Sequence, residues 1–416
     1  MDYQPRLVDE ELTRQLRSTG AVVLEGPKAV GKTETASRQA ASTVRLDLDV
    51  RARQAASVDP SLILSGETPR LIDEWQVVPG VWNGVRHEVD RRGLPGQFIL
   101  TGSAVPADDD ARHSGAGRIV RVRMRPMSLF ETGNSTGRVS LAGLFDGEEP
   151  AGQSELPIPR IAELICRGGW PLVHALPAAD AQQALRNYLT EIVHTDIRRV
   201  DGTFRDPQRV ERVVRSLARN VSTMAALSVI AADTAGDDEP VARKTVPDYL
   251  SALERLMVVE DQPAWTPRLR SRSQLRVGPK RHFADPCLAA AALGATPAML
   301  IDDLNTLGFL FESLVVRDLR VYSQRLGGRV LHYRDNTGLE VDVVVQLYDG
   351  RWAGLEVKLG GEKPIEDAAI SLRRLADRVD QGTSGRLAFV GVITSGGYAY
   401  RREDGVLLLP VGCLGP

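Results

Sequence analysis

The chain has 416 residues, of which 43% are hydrophobic and 25% charged, and its formal net charge is −2. This composition is typical of a globular protein of roughly two to four domains. The net charge excludes a basic surface potential over the whole protein, so a contact with nucleic acid would need a local basic patch. Three scattered cysteines exclude a disulfide framework. Because neither a membrane-spanning apolar run nor a signal-peptide pattern is visible, we expect a cytoplasmic protein without a membrane partner.

The first motif follows a short buried strand predicted over residues 21–25. The next eight residues fit G-x-x-x-x-G-K-[ST], the phosphate-binding loop of P-loop NTPases, without mismatch, and a helix is predicted to start at Thr33. Lys32 is expected to neutralise the β- and γ-phosphates of ATP, and Thr33 to ligate Mg²⁺. The predicted ATP-binding residues are Gly26, Pro27, Lys28, Ala29, Val30, Gly31, Lys32 and Thr33.

Two further strands are predicted to end in polar residues. The strand from Arg70 ends in Asp73, which we expect to hold Mg²⁺, and Glu74, which we expect to polarise the attacking water as a general base. The alternative is a solvated strand end. The strand over residues 97–103 ends with Thr101 and Ser103, either of which could sense the γ-phosphate; a simple turn after a core strand is the alternative.

Residues 117–126 alternate between basic and apolar side chains, which predicts a half-buried strand with a basic outer stripe. Arg118 follows a glycine-containing loop and is a candidate arginine finger for a neighbouring subunit, which would require a homo-oligomer. Arg112 and a solvated Arg118 are the alternatives. Alternating strands and helices over this part of the chain predict a parallel sheet flanked by helices. Residues 131–160 are rich in Gly, Ser and Pro, which indicates a boundary or flexible connection.

The middle of the chain has apolar residues at helical spacing between Val210 and Val258, which predicts three helices. The third is expected over residues 245–256, and a hairpin wing could begin at Met257, which together would give a winged helix. Arg243 and Lys244 would then lie where base contacts originate, although the preceding turn is acidic; DNA contact and a purely structural role stay open. A basic run follows and is the best local candidate for a phosphate-backbone patch, with a solvated loop or pairing with acids as alternatives. Its members are Arg268, Arg270, Arg272, Arg276, Lys280 and Arg281.

The last third carries acids at the ends of predicted core elements. An apolar helix contains Glu312, a strand over 338–345 contains Asp342, and the next strand ends in Glu356-Val357-Lys358. This is the arrangement of restriction-endonuclease-like nucleases, in which the three acids would bind one or two Mg²⁺ ions and Lys358 would orient or deprotonate the attacking water. The alternative is an exposed strand edge with a salt bridge of Lys358 to Glu356 or to Asp342. Only six of the 52 Lys and Arg residues are lysines, which supports a special role for Lys32 and Lys358.

Nearly the whole chain resembles a bacterial and archaeal family of AAA-type P-loop ATPases with a C-terminal restriction-endonuclease-like domain of unknown function. The resemblance implies ATP binding at Lys32 and Thr33, Mg²⁺ handling at Asp73 and a winged-helix element in the middle. The motifs that carry it are GPKAVGKT (26–33), LIDEWQ (71–76), ILTGSA (99–104), AGRI (116–119), RPMSLFE (125–131), GGWP (168–171), FADPCL (283–288), FESLV (311–315), LEVDVVV (339–345) and GLEVKLG (354–360).

The predicted fold class is therefore α/β and multidomain. An AAA-type P-loop domain is expected over 1–150, a helical and winged-helix-like region over 151–285, and a restriction-endonuclease-like α/β domain over 286–416. The predicted function is a Mg²⁺-dependent, ATP-hydrolysing protein whose nucleotide state controls a nuclease-like domain that acts on or binds DNA. The alternative is a nucleotide-switched protein- or DNA-binding module with a catalytically inactive nuclease-like domain.

Overall fold

The computed structural model describes residues 3–103, 113–200, 202–234, 244–267, 277–379 and 385–416. The chain forms two compact units. The first comprises Met1–Pro126, His194–Arg205 and Ser251–Val258, and the second Met127–Val193, Asp206–Leu250 and Val259–Pro416. The domain limits predicted at residues 150 and 285 stay predictions.

The strands form the sheets of both units. In chain order they are β1 (Ala21–Glu25), β2 (Ser42–Arg45), β3 (Arg70–Asp73), β4 (Phe98–Gly102), β5 (Ile119–Arg123), β6 (Val139–Ser140), β7 (Gly152–Ser154), β8 (Arg329–Arg334), β9 (Glu340–Gln346), β10 (Trp352–Lys358), β11 (Leu387–Thr394), β12 (Gly397–Arg401), β13 (Leu407–Pro410) and β14 (Leu414–Gly415).

The helices range from three residues to 21. In chain order they are α1 (Leu7–Ser18), α2 (Lys32–Ser37), α3 (Val50–Val58), α4 (Val81–Arg92), α5 (Leu141–Phe145), α6 (Ile158–Arg167), α7 (Ala178–Glu191), α8 (Ile197–Arg199), α9 (Pro207–Arg219), α10 (Leu227–Asp233), α11 (Val246–Arg255), α12 (Pro286–Leu293), α13 (Pro297–Asp302), α14 (Leu304–Gln324) and α15 (Glu362–Arg378). No helix in the described part of the chain is long and apolar enough to cross a membrane.

The first unit is built on a five-stranded parallel sheet in the order β2-β3-β4-β1-β5. Successive apolar residues of each strand face opposite sides, so Val22 and Leu24 pack with α1 in one core, while Val23 packs with α4 in the other. Burial on both faces explains why these strands are continuous apolar runs rather than alternating ones. The predicted parallel sheet flanked by helices is present.

Parallel strands place their C-terminal ends on one edge of this sheet. Glu25 pairs in register with Gly102, and Asp73 pairs with Thr101. The loop after β1, the acids after β3 and the polar end of β4 therefore meet at that edge, which is where ligands bind in open parallel sheets.

The second unit contains a mixed seven-stranded sheet in the order β7-β12-β13-β11-β10-β9-β8. β8, β9 and β10 are antiparallel neighbours, and β10, β11 and β13 are parallel. The apolar face of α15 covers part of the sheet through Ala369, Leu372 and Leu375. The antiparallel β9–β10 pair brings the predicted acids of the C-terminal third onto adjacent strands.

The sequence predicts a boundary or a flexible connection over residues 131–160, and the flexible connection is wrong for much of that stretch. β6 pairs with the C-terminal β14, and β7 is the edge strand of the seven-stranded sheet through its pairing with β12. The short α5 between them begins with Ser140 as its capping residue. Strands this short depend on partners from the far end of the chain, so their own sequence carries little signal.

The three helices predicted in the middle are present as α9, α10 and α11, and α11 matches the predicted third helix within one residue at each end. After α11, Val259 pairs with Phe283 and Gln262 with Lys280 in antiparallel bridges. Arg112, Arg243 and most of the basic run, including Arg268 and Arg276, lie outside the described residues. The winged helix stays a prediction.

A buried arginine joins three of the resemblance motifs inside the second unit. Arg317 donates to Asp285 at 2.7 Å and to Asp318 at 2.6 and 2.8 Å, and all three side chains are buried. Asp318 also accepts the backbone N–H of Leu129 at 3.1 Å, and Asp285 accepts that of Gly169 at 3.1 Å. The GGWP, FADPCL and RPMSLFE segments are thus fixed to one another through this ion group.

The Arg317→Met substitution removes the cation and leaves two buried carboxylates without a counter-charge, although their backbone N–H donors remain. We expect it to lower the free energy of unfolding by about 3–5 kcal/mol, because an uncompensated buried charge is costly. Urea unfolding of the full chain, followed by circular dichroism, measures this. Arg329→Met, at the exposed start of β8, is the control and should change stability by less than about 0.5 kcal/mol. Equal effects of the two substitutions would contradict the role of the ion group.

Candidate functional site

The phosphate-loop site, defined as residues 26–33 with Asp73, Glu74 and Thr101, begins directly after β1. A Cβ atom added to Gly26 would lie 2.2 Å from the backbone oxygen of Met124, so only glycine fits there. Gly31 has φ of 101° and caps α2, a left-handed conformation that favours glycine. Gly26 therefore allows the backbone segments to approach closely, and Gly31 allows the backbone to turn into α2. Phosphate loops require both features.

Lys32 is buried beneath the loop. Its Nζ donates to the backbone oxygens of Gly26 at 2.9 Å and Pro27 at 2.8 Å. Burial lowers the pKa of Lys32 to about 8, although the carboxylates of Glu74 and Asp73 act in the opposite direction. The ammonium is held by neutral carbonyl groups, so it is positioned for an anion that enters the loop.

Asp73 connects the loop with the neighbouring strand. The hydroxyl of Thr33 donates to Asp73 Oδ1 at 2.8 Å, and the hydroxyl of Thr101 donates to the same oxygen. Mg²⁺ prefers hard oxygen ligands of this kind, a hydroxyl and a carboxylate next to bound phosphates. The donor set thus fits the Mg²⁺ ion that the sequence predicts at Thr33 and Asp73.

Glu74 lies just past the end of β3 and has a positive φ of 54°. Non-glycine residues in this conformation are strained and are enriched at functional sites. Burial raises the pKa of Glu74, while Lys32 lowers it. The side-chain amide of Gln76 donates to Glu74, and Gln76 Oε1 is buried without a hydrogen-bond partner. Gln76 was not predicted, although it belongs to the LIDEWQ motif.

An ion pair between Lys28 and Asp196 connects the phosphate loop to the segment before α8. Lys28 Nζ lies 2.5 Å from Asp196 Oδ1, and the side chain of Asp196 is 5% exposed. Asp196 ends the π-helical turn Ile192–Asp196 that joins α7 to α8, and such turns are frequent at functional sites. The sequence analysis missed this contact.

Arg118 is not brought to the phosphate loop of its own chain. It precedes β5, whose first residue pairs with Ala21 at the N-terminal end of β1, whereas the loop follows the C-terminal end. Its guanidinium pairs with Asp90 at 2.6 Å. The role of Arg118 as an arginine finger in a neighbouring subunit stays a prediction.

The second group of predicted residues also converges. The carboxylate–lysine cluster consists of Lys280, Glu312, Glu340, Asp342, Glu356 and Lys358. Lys358 Nζ donates to Asp342 at 3.0 Å and to Glu356 at 2.7 Å. Both salt bridges considered as alternatives at the sequence level are therefore present, and they form within the unit rather than at an exposed edge.

Lys280 was not expected in this cluster. Its Nζ lies 2.8 Å from Glu312, 3.1 Å from Asp342 and 3.7 Å from Glu340. Its side chain is 3% exposed. For Lys280 and its neighbour Arg281, which pairs with Asp261, the predicted solvent-facing phosphate patch is wrong, because both side chains are buried against acids.

Burial and the neighbouring charges act in opposite directions on the acids of the cluster. Burial and, to a smaller extent, the nearby Asp342 raise the pKa of Glu312 to about 8, against the opposing effect of Lys280. Burial and the nearby Asp342 raise the pKa of Glu356 well above its usual range. Burial opposes ionisation of Asp342, yet the ammonium groups of Lys280 and Lys358 hold its pKa below the usual value.

The carboxylates that were predicted to hold Mg²⁺ are thus engaged by ammonium groups. Lys280 contacts one oxygen of Asp342, whereas Lys358 and the backbone N–H of Val357 donate to the other. Among the residues that the structure describes, no group of three or more His, Cys, Asp and Glu side chains could hold a metal ion. In this arrangement Glu312, Asp342 and Glu356 do not fit a metal site, and their role as metal ligands stays a prediction.

Three family models match successive parts of the chain. One described as an AAA domain matches residues 18–133, and two described as domains of unknown function, DUF8612 and DUF4143, match residues 158–298 and 307–414. The AAA-type P-loop fold predicted for the N-terminal part is confirmed, and this fold implies nucleotide binding. The restriction-endonuclease-like character of the C-terminal part is still a prediction.

Two relatives are similar to this chain over most of its length. Uncharacterized proteins of Mycobacterium bovis and Mycobacterium tuberculosis are each 26% identical over 409 residues, which cover 96% of this chain and 82% of each relative. Among solved structures, the Walker-type ATPase of Pyrococcus abyssi is 13% identical and covers 70% of this chain and 99% of its own, with a TM-score of 0.41.

The Asp196→Asn substitution tests the ion pair at the loop. Asp196 competes with an incoming phosphate for the ammonium of Lys28, so we expect the Kd for ATP to fall about fivefold, equivalent to about 1 kcal/mol for an ion pair of this exposure. Equilibrium titration with a fluorescent ATP analogue measures the change. Asp180→Asn, at the exposed start of α7, is the control. Weaker binding by Asp196→Asn would show instead that the ion pair supports the loop.

Proposed function

We propose that this chain is a Mg²⁺-dependent, ATP-hydrolysing protein whose nucleotide state controls its nuclease-like C-terminal domain, and that this domain binds DNA. One observation carries the ATP-dependent part. The hydroxyl oxygen of Thr33, the last residue of the loop, lies 2.8 Å from Asp73 Oδ1. The same loop encloses the buried ammonium of Lys32. A loop lysine, a metal-binding hydroxyl and a strand-end acid are the parts that nucleotide hydrolysis in P-loop proteins requires.

Each residue of the site has a separate task in hydrolysis. Lys32 neutralises the β- and γ-phosphates, and the loop N–H groups hold them. Thr33 and Asp73 would hold Mg²⁺, which would supply stabilisation of the negative charge that develops on the transferred phosphoryl group. Glu74 accepts the proton of the attacking water, and its raised pKa favours this role as a base. Gln76 holds the Glu74 carboxylate through its amide.

Arg118 completes the proposal if the protein assembles. In a homo-oligomer, an arginine of one subunit can stabilise the transition state in the next. Arg118 is 39% exposed in its side chain and its partner Asp90 is 43% exposed, so the pair can open at low cost.

Two substitutions separate binding from hydrolysis. Lys32→Ala should weaken ATP binding at least tenfold, because it removes the buried ammonium of the loop. Glu74→Gln should preserve ATP binding but slow turnover at least 100-fold, the usual contribution of a general base. Phosphate release and ATP titration measure the two effects, with the exposed Lys363→Ala as control. Turnover in Glu74→Gln at the native rate would exclude Glu74 as the base.

DNA binding without cleavage is the form of this proposal that the cluster favours. In the alternative form, the domain would cleave DNA by means of Asp342, Glu356 and Lys358. That reaction needs the carboxylates of Asp342 and Glu356 as ligands for a metal ion. In the structure they accept hydrogen bonds from Lys358 and Lys280. In this proposal Lys244, which is exposed before the start of α11, would add a contact from the middle region to the DNA that the C-terminal domain binds.

A DNA assay decides between the two forms. Plasmid and linear DNA are incubated with the native chain and Mg²⁺ or Mn²⁺, with and without ATP, and compared with Lys32→Ala and Lys358→Ala. We expect ATP-dependent retention of DNA, lost in Lys32→Ala, and no cleavage. Cleavage that disappears in Lys358→Ala would establish the ATP-controlled nuclease instead. Native ATP hydrolysis with neither retention nor cleavage would remove DNA from the proposal.

A further inference from the structure

We infer that Lys280 is the resident cation of the carboxylate–lysine cluster: its ammonium takes the place expected for a divalent metal ion, and the cluster binds such an ion only when this ammonium is removed. The inference rests on the proposed function, since it concerns the nuclease-like centre. It assigns to Lys280 the role of a cation that stands in place of a metal ion, a role that was not predicted for any residue of the cluster. The ligand class is a hard divalent cation, Mg²⁺ or Mn²⁺.

Two of the N–H donors of Lys280 form hydrogen bonds to carboxylates, and a third carboxylate lies close to the ammonium. An ammonium has three N–H donors and no acceptor. Three carboxylates surround it, with Nζ–O distances of 2.8 Å to Glu312, 3.1 Å to Asp342 and 3.7 Å to Glu340. Water can contribute little, since the side chain is 3% exposed. The carboxylates that a metal ion would need thus converge on a charge that the chain supplies itself.

The backbone fixes the position of this ammonium. Lys280 and Gln262 exchange two backbone hydrogen bonds, at 2.9 and 3.0 Å. The side-chain amide of Gln262 donates to the backbone oxygens of Leu331 on β8 and Asp342 on β9, at 2.9 and 3.1 Å. His282 contacts the carbonyl oxygen of the same side chain at 3.1 Å. Gln262 therefore holds the backbone of Lys280 and the strand of Asp342 in one frame.

Lys358 completes the exclusion of a metal ion. It engages the second carboxylate oxygen of Asp342 at 3.0 Å, so neither oxygen is left to a metal ion without displacing an ammonium. A divalent ion would also enter beside two positive charges in a buried setting, where like charges repel strongly. Of the two lysines, Lys280 is the one that bridges α14 and β9, because it alone contacts both Glu312 and Asp342.

Mn²⁺ titration of the nucleotide-free full-length chain tests the inference. Each protein is compared with its own Asp342→Asn counterpart, which cancels binding at the phosphate-loop site. We expect no Asp342-dependent binding in the native chain. Lys280→Met, which keeps an unbranched side chain of similar length but removes the charge, should gain one Asp342-dependent site and bind Mn²⁺ there at least tenfold more tightly than its own Asp342→Asn counterpart does. Lys363→Met, an exposed lysine, is the matched control and should behave as the native chain does.

Two outcomes overturn the inference. One is Asp342-dependent Mn²⁺ binding by the native chain. This outcome can be observed even if the Lys280 variants do not fold. The other is the absence of a gained site in both Lys280→Met and Lys280→Gln when their circular dichroism and ATP hydrolysis match the native chain. ATP hydrolysis also separates the two proposals: its absence from the native chain removes the proposed function, whereas the Mn²⁺ titrations still decide the role of Lys280.

Discussion

A charged group buried in a protein loses its hydration, at a cost of several kcal/mol, unless nearby groups replace the lost water. Three buried cations of this chain meet this constraint in different ways. Lys32 is held by two backbone carbonyl groups, whereas Arg317 and Lys280 are each surrounded by carboxylates. A cation held by neutral carbonyl groups can still bind an anionic ligand, whereas a cation held by carboxylates has a structural role. This difference decides the chemistry of the phosphate-loop site and of the carboxylate–lysine cluster.

Carbonyl groups orient the ammonium of Lys32 but leave its charge without a full counter-charge. The pKa of about 8 that burial gives Lys32 reflects this, and an entering phosphate would supply the missing anion. At Lys280 the balance is already complete, because Glu312 and Asp342 contact the ammonium directly. The phosphate-loop site is thereby prepared for a ligand, while the carboxylate–lysine cluster is satisfied without one. The nuclease-like arrangement of acids alone does not establish metal-dependent chemistry.

The sequence predicted what depends on local pattern. β1 and the loop after it follow from an apolar run and two glycines, and the meeting of Asp342 with Lys358 follows from neighbouring strands that are separated by one turn. Contacts between distant segments carry no such signal. Lys28 and Asp196 are 168 residues apart, and β7 is a strand only because β12 pairs with it. A glycine-rich stretch like that around β7 has no periodic pattern, which is why it was mistaken for a flexible connection.

Lysine scarcity was the one signal that could have identified Lys280 in advance. Six lysines stand among 52 Lys and Arg residues, and the argument that singled out Lys32 and Lys358 applies equally to Lys280 and Lys28. Arginine presents a planar fork suited to one or two carboxylates, as Arg317 shows between Asp285 and Asp318. A compact ammonium with three donors suits a pocket where acids converge from a helix and a strand. At position 280, lysine therefore suits the cluster better than arginine, because the cation stands where a small, spherical ion would otherwise bind.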